Sequence, residues 1–188
     1  ALLLAGGRGR GLGGRGGGEH VPGGEGGAED ESRDGDELED RGTGLAGADA
    51  LCDAEVSGLT GSFRAMLATS AASMASRFSV DARPIYRPDG VLVAADAAAL
   101  LGPTLPLTPI AVDAAALPVQ ALVWVGSSSP MTPGDTTTTC HTVETGSWST
   151  TSGSVNGRLG FSSQRDTMLA SAWFPCSWAS GHVYCLEE

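Results

Sequence analysis

Apolar residues are sparse and without period up to about residue 41, and become patterned from Gly42 onward. The early stretch holds Ala1-Leu-Leu-Leu-Ala5, a Gly/Arg tract from Gly6 to Gly18, and an acidic run from Glu29 to Asp40. After Val21, Leu38 is its one large apolar residue. Such a segment buries too little surface to offset its ordering entropy. Residues 1–41 therefore read as a disordered tail, a linker or a mis-framed stretch. Ala1 to Ala5 reads either as the end of a signal-peptide apolar region or as the start of a piece of a longer precursor.

From residue 42 the pattern predicts a folded domain over 42–188. Leu45, Ala48, Leu51, Cys52 and Val56 share one helical face, and Gly58 stops that helix. Ser62 to Leu67 alternates as a strand with Phe63 and Ala65 inward. Arg83 to Val93 reads as strand, turn at Pro88-Asp-Gly90, strand. Asp96 to Leu101 reads as one more helical turn. Pro103 to Pro118 carries prolines at 103, 106, 109 and 118, which predicts a looped crossing. Leu122 to Val125 is an apolar strand closed by Gly126. A Ser/Thr/Gly/Pro loop follows from Ser127 to Thr139, and Val183 to Leu186 closes the domain as a strand. The predicted fold class is α+β, with few helices and many loops.

Charge narrows the partners. The 188 residues carry 11 basic and 22 acidic side chains, a net charge of −11, and every basic one is Arg. That balance argues against nucleic acid, whose phosphates need Lys and Arg, and against an anionic membrane surface. No apolar run approaches the length of a membrane span, so none is expected.

Cysteine usage points to the compartment. Cys52, Cys140, Cys176 and Cys185 contain no close C-x-x-C pair. A zinc knuckle or a thioredoxin-type site needs such pairs. The spacing suits two structural disulfides in an oxidising compartment, hence a secreted or cell-surface protein.

Several blocks occur in a telling order: Gly44-Leu-Ala-Gly-Ala-Asp-Ala-Leu-Cys52, Gly61-Ser-Phe-Arg-Ala-Met-Leu67, Pro84-Ile-Tyr86 with Asp89-Gly-Val-Leu-Val93, Val123-Trp-Val-Gly-Ser127, Thr139-Cys140, Ser171 to Cys176, and Val183-Tyr-Cys-Leu-Glu187. This order resembles the endostatin domain of collagens XV and XVIII, and more closely the bacterial endostatin-like secreted and surface-lipoprotein domains. The resemblance covers about residues 42–188. It implies a C-type-lectin-like fold and nested disulfides, Cys52–Cys185 outside and Cys140–Cys176 inside. The outer bond would tie the helix to the terminal strand. The family also places a β-strand ahead of the Gly-Ala-Asp helix, paired with the terminal one. Glu29 to Arg41 cannot form it. Either that strand is lost upstream by truncation or frameshift, the preferred account, or Leu2-Leu-Leu4 substitutes for it. On the first account the terminal strand has an exposed edge, and a secretion signal or lipid anchor belongs to the missing segment.

Candidate chemistry is thin. Of the histidines, His20 lies in the tail, while His141 and His182 have no ligand spacing on one element, so no metal and no cofactor is expected. Calcium-type sugar motifs are missing, and the acidic run Asp34 to Asp40 lacks the glycine placement of an EF-hand loop. The resemblance implies heparin-binding arginines. Arg64 matches one, and Arg83 and Arg87 lie on one hairpin, but solvated charges and one structural ion pair are the preferred account, so heparin is not expected. Cys140 beside His141 is no catalytic dyad if Cys140 is in a disulfide, so the protein is not expected to be an enzyme. Trp124 is expected in the core. Trp148, in a Ser/Thr/Gly loop, is the aromatic best placed to be exposed, with packing beneath the loop as the favoured competitor. The expected function is a non-enzymatic binding module for a matrix or envelope protein or glycan. Its surface would be the loop region 126–158. A structural appended domain without a specific ligand is the alternative, and a hydrolase the third.

Overall fold

The computed structural model describes residues 1–6, 44–56, 59–143, 146–169, 172–178 and 181–188. The predicted tail from residue 7 to 41, with His20 and the acidic run, lies outside them. The fold is mixed α and β. Helix α1 spans Leu45–Glu55 and α2 Ala97–Leu101. The strands are β1 Leu2–Gly6, β2 Phe63–Ala65, β3 Ile85–Tyr86, β4 Leu92–Ala94, β5 Leu122–Trp124, β6 Asn156–Phe161, β7 Ala172–Pro175 and β8 His182–Glu187. The main sheet runs β1-β8-β5-β6-β7, with β2 also on β8, and β3 and β4 form a separate hairpin.

The terminal strand is therefore central. β1 pairs antiparallel along β8, Leu2 opposite Leu186 through Gly6 opposite His182. Along its other edge β2 covers Cys185 to Glu187, and β5 covers His182 and Val183 in parallel. This pairing corrects the expected exposed edge on β8, and Leu2–Gly6 occupy the place that the Leu2-Leu-Leu4 alternative gave them. The reason is burial. A strand covered on both faces needs a continuous apolar run, not alternation, and Leu2-Leu-Leu-Ala5 is one. Leu2 and Leu4 pack into one core while Leu3 and Ala5 pack into the other. The outer edge of β1 is covered in turn, the Leu4 N–H donating to the Val112 carbonyl at 3.0 Å.

The alternation of β8 divides the two cores. Tyr184 and Leu186 face α2, the β3–β4 hairpin, Met66 and Met74. Val183 and Cys185 face α1, Phe63 and Ala65. Both helices lie where their apolar spacing put them. The carboxylates of α1 also close the free edge of β2. Asp49 accepts from the Ala65 N–H at 2.9 Å and Asp53 from the Phe63 N–H at 3.0 Å. Asp49 takes Arg77 in a two-pronged ion pair at 2.8 and 2.7 Å, and Arg77 also donates to the Ala65 carbonyl. On the other face, Asp96 caps α2 by accepting from the Ala99 N–H at 2.7 Å.

Both disulfides form as nested bonds, Cys52–Cys185 and Cys140–Cys176. The outer one bridges 133 residues and joins α1 to β8. The inner one bridges 36 residues and joins the long loop to the end of β7. Closing loops of these lengths limits unfolded-chain entropy by roughly 5 and roughly 4 kcal/mol.

Candidate functional site

The region from Gly126 to Val155 contains no named strand or helix among its described residues, yet its backbone is anchored. The Thr138 side chain accepts from the Asp135 N–H at 2.8 Å, and Thr139 donates its hydroxyl to the Asp135 carbonyl at 2.8 Å. Ser127 and Thr132 share a hydroxyl hydrogen bond at 2.9 Å. Asp135 accepts from both the N–H and the hydroxyl of Thr137, at 2.7 and 2.6 Å. That Thr137 hydroxyl, ahead of smaller contributions, holds the Asp135 carboxyl below its ordinary range. Serines and threonines here do locally what a strand ladder does elsewhere.

Beyond Thr139 the chain turns back under strain. Cys140 and Trp148 both have positive φ, 46° and 63°. Tertiary bonds hold them there. Cys140 is tied to Cys176. The Trp148 indole N–H donates to the Ala68 carbonyl at 2.8 Å, and its backbone N–H to the Thr139 carbonyl at 2.7 Å. Trp148 is thus half-buried, packed edge-on against Trp124 with ring centroids 6.0 Å apart. It is a pin under the loop and not its exposed aromatic. Trp124, expected in the core, is itself half-buried and wedged between Trp148 and Trp178. Gly157 makes this packing possible. A Cβ there would stand 2.5 Å from the Trp124 ring and 2.8 Å from the Cys140 sulfur.

The arginines singled out from sequence do not form a cationic surface. Arg64, on β2, pairs with Glu188 at 2.9 Å. Arg83 pairs with Asp81 at 2.6 Å. Arg87 pairs with Asp89 and donates to the Pro109 carbonyl at 3.0 Å. The hydrogen bond from each arginine is the main reason Asp81 and Asp89 sit below the usual carboxylate range. Each positive charge is therefore matched by a neighbouring negative one.

The remaining polar cluster lies beside the inner disulfide. His141 Nδ1 faces the hydroxyls of Ser70 and Ser147 at 3.4 and 3.5 Å. Ser147 also bonds the Ser70 N–H at 3.0 Å and Thr139 at 3.2 Å. Among the described residues, the Ser70 and Ser147 hydroxyls are the side-chain partners of His141. No group of three His, Cys, Asp or Glu side chains among the described residues is placed to hold a metal ion.

Sequence reasoning missed a pair on the sheet. Arg158 on β6 and Trp173 on β7 are cross-strand neighbours. The guanidinium carbon lies 5.0 Å from the indole centroid. With Ser127, Thr132, Asp135 and Thr138 they line a groove of about 150 Å³ beside the long loop. No signal in the sequence links two residues of unrecognised strands. Only the register brings them together. Neither a protein-family model nor a curated protein matches this sequence.

Proposed function

We propose that this chain is a non-catalytic, exported binding module of endostatin-like, C-type-lectin-like type. Its recognition surface is the loop face built from residues 126–158, and its partner an extracellular matrix or envelope protein or glycan. The observation that carries this reading is the fastening of an irregular, hydroxyl-rich loop to a sheet by Cys140–Cys176 and by the Trp148 indole. Loops held on a rigid scaffold carry recognition because they bind without a large ordering cost. The two disulfides suit an oxidising compartment, and no described helix is long and apolar enough to cross a membrane. On this reading the protein is secreted or held at the cell surface, through a lipid anchor if one precedes the chain.

The test is an array of purified matrix and envelope proteins and glycans, probed with the oxidised protein and with a variant whose residues 128–137 are replaced by a Gly/Ser linker. Binding that the replacement abolishes, with both disulfides and near-UV dichroism retained, supports the reading. No binding above background by the parent protein overturns it in favour of a structural appended domain.

A further inference from the structure

Arg158 differs from the other arginines described above, the half-buried Arg77 and Arg87 and the exposed Arg64 and Arg83. Arg64, Arg77, Arg83 and Arg87 each meet a carboxylate. Arg158 has no such partner among the described residues, and its Nε is buried without a hydrogen bond. Its Nη groups make no hydrogen bond among the described residues, and Arg158 lines the groove. That enclosed Nε is out of a ligand's reach, so the donors open to a ligand oxygen are the Nη groups, which no carboxylate holds among the described residues. Trp173 fixes the plane of the guanidinium while keeping half of its own surface exposed, 50 %. Asp135 completes the groove. Its exposed carboxylate is positioned by the N–H and hydroxyl of Thr137.

We infer that this groove binds a single saccharide ring, without calcium, between Arg158, Asp135 and Trp173. The inference rests on the binding-module reading above. Its chemistry is specific to a polyol. A sugar hydroxyl both donates and accepts, so one ring can receive from Arg158 and give to Asp135, whereas a simple anion satisfies only the first. The exposed indole offers a flat apolar face for the C–H side of the ring, and aromatic groups with a few convergent polar ones are the usual make-up of such sites. The groove volume of about 150 Å³ matches roughly five waters, the scale of one hexose. The net charge of −11 disfavours sulfated polyanions and leaves neutral or weakly acidic sugars. Extended peptides are disfavoured, because β7 offers a four-residue edge ending in Pro175, which has no N–H to donate.

The experiment is saturation-transfer NMR on the whole oxidised chain. The probes are lactose, N,N′-diacetylchitobiose and galacturonic acid, with an acidic hexapeptide as a further ligand. Transfer to at least one sugar is expected, unchanged by EDTA and weakened roughly tenfold or more in Trp173→Ala and in Arg158→Met. Arg158→Met keeps the apolar stem, so a binding loss with native disulfides and dichroism is not a folding loss. The inference falls if no sugar shows transfer, if either variant binds as the parent does, if EDTA abolishes the signal, or if only the peptide binds. Partner capture on the array that Trp173→Ala leaves intact, with no sugar transfer, removes the saccharide site and keeps the binding module. Sugar transfer with glycans but no protein captured on the array removes the protein-partner reading alone.

Discussion

Around Cys52–Cys185 the sheet is packed on both sides, with both sulfurs fully buried among Leu3, Ala5, Val56, Phe63 and Val183. Cys140 and Cys176 belong to neither core cluster, and the apolar neighbour of the Cys140 sulfur is the Trp124 ring over Gly157. There the chain is held by hydroxyl-to-backbone bonds, an indole N–H and two residues at positive φ. The first bond reinforces a core that exists without it. The second fastens a loop whose anchoring hydroxyls, Ser127, Thr138 and Thr139, are themselves buried, beneath the exposed Asp135 and Thr137.

That contrast can be broken directly. Removing the outer staple as Cys52→Ala with Cys185→Ala is expected to cost up to roughly 5 kcal/mol in the urea midpoint, across the whole molecule. Removing the inner one as Cys140→Ala with Cys176→Ala is expected to cost up to roughly 4 kcal/mol. Its signature is local, with hydrogen exchange accelerating in 127–155 while β8 stays protected. Uniform loss of protection in the second variant would show that the loop and the core unfold as one unit.

A smaller effect sharpens the first half of the comparison. Leu3 is fully buried in the α1-side core, opposite Cys185. Leu3→Ala is expected to destabilise by about 3 kcal/mol, as for other fully buried leucines. An unchanged urea midpoint would show that β1 contributes nothing to the sheet.

Acid gives the smallest effect and probes the second half. Asp81, Asp89 and Asp135 all have folded-state values below their ordinary ones. Their stabilisation is present above the unfolded value near about pH 4 and is lost as pH falls through the lower folded values. These groups are exposed, so the loss is slight. A Tm profile between about pH 5 and pH 2 should flatten in Asp135→Asn relative to the parent. Identical profiles would show that the Thr137 contacts have no energetic weight.

Much of the first region was legible in the sequence. The apolar face of α1 and the alternation of Phe63 and Ala65 named their own surroundings. The turn from Asp96 to Leu101 was also legible, though the cap that Asp96 places on Ala99 was not read. β1 was legible only as the less favoured alternative, Leu2-Leu-Leu4, since an apolar run reads equally as a leader segment or as a doubly covered strand and only the partners on both faces decide. β6 and β7 were missed for a different reason. Asn156-Gly-Arg-Leu-Gly-Phe161 carries two glycines and no β-branched residue, which lowers strand propensity. Those glycines serve close approach: Trp124 and the Cys140 sulfur lie over Gly157, and the Met168 carbonyl over Gly160. Local preference was overruled by contacts from more than 30 residues away in the case of Trp124. The groove inherits that blindness, because Arg158 meets Trp173 only through the register of two strands the pattern did not reveal.

The antiparallel pairing of β1 with β8 sets residue 2 beside residue 186, so both ends of the chain leave the fold at one corner. A pull applied between those ends meets the β1–β8 hydrogen bonds one at a time, as a zipper is opened, and not all together as in shear. On the C-terminal side peeling can advance only from Glu188 to Cys185, where the bond to Cys52 clamps the strand to α1. A tethered molecule of this design would give way first along β1 and then stop, keeping the long loop and its groove intact under load.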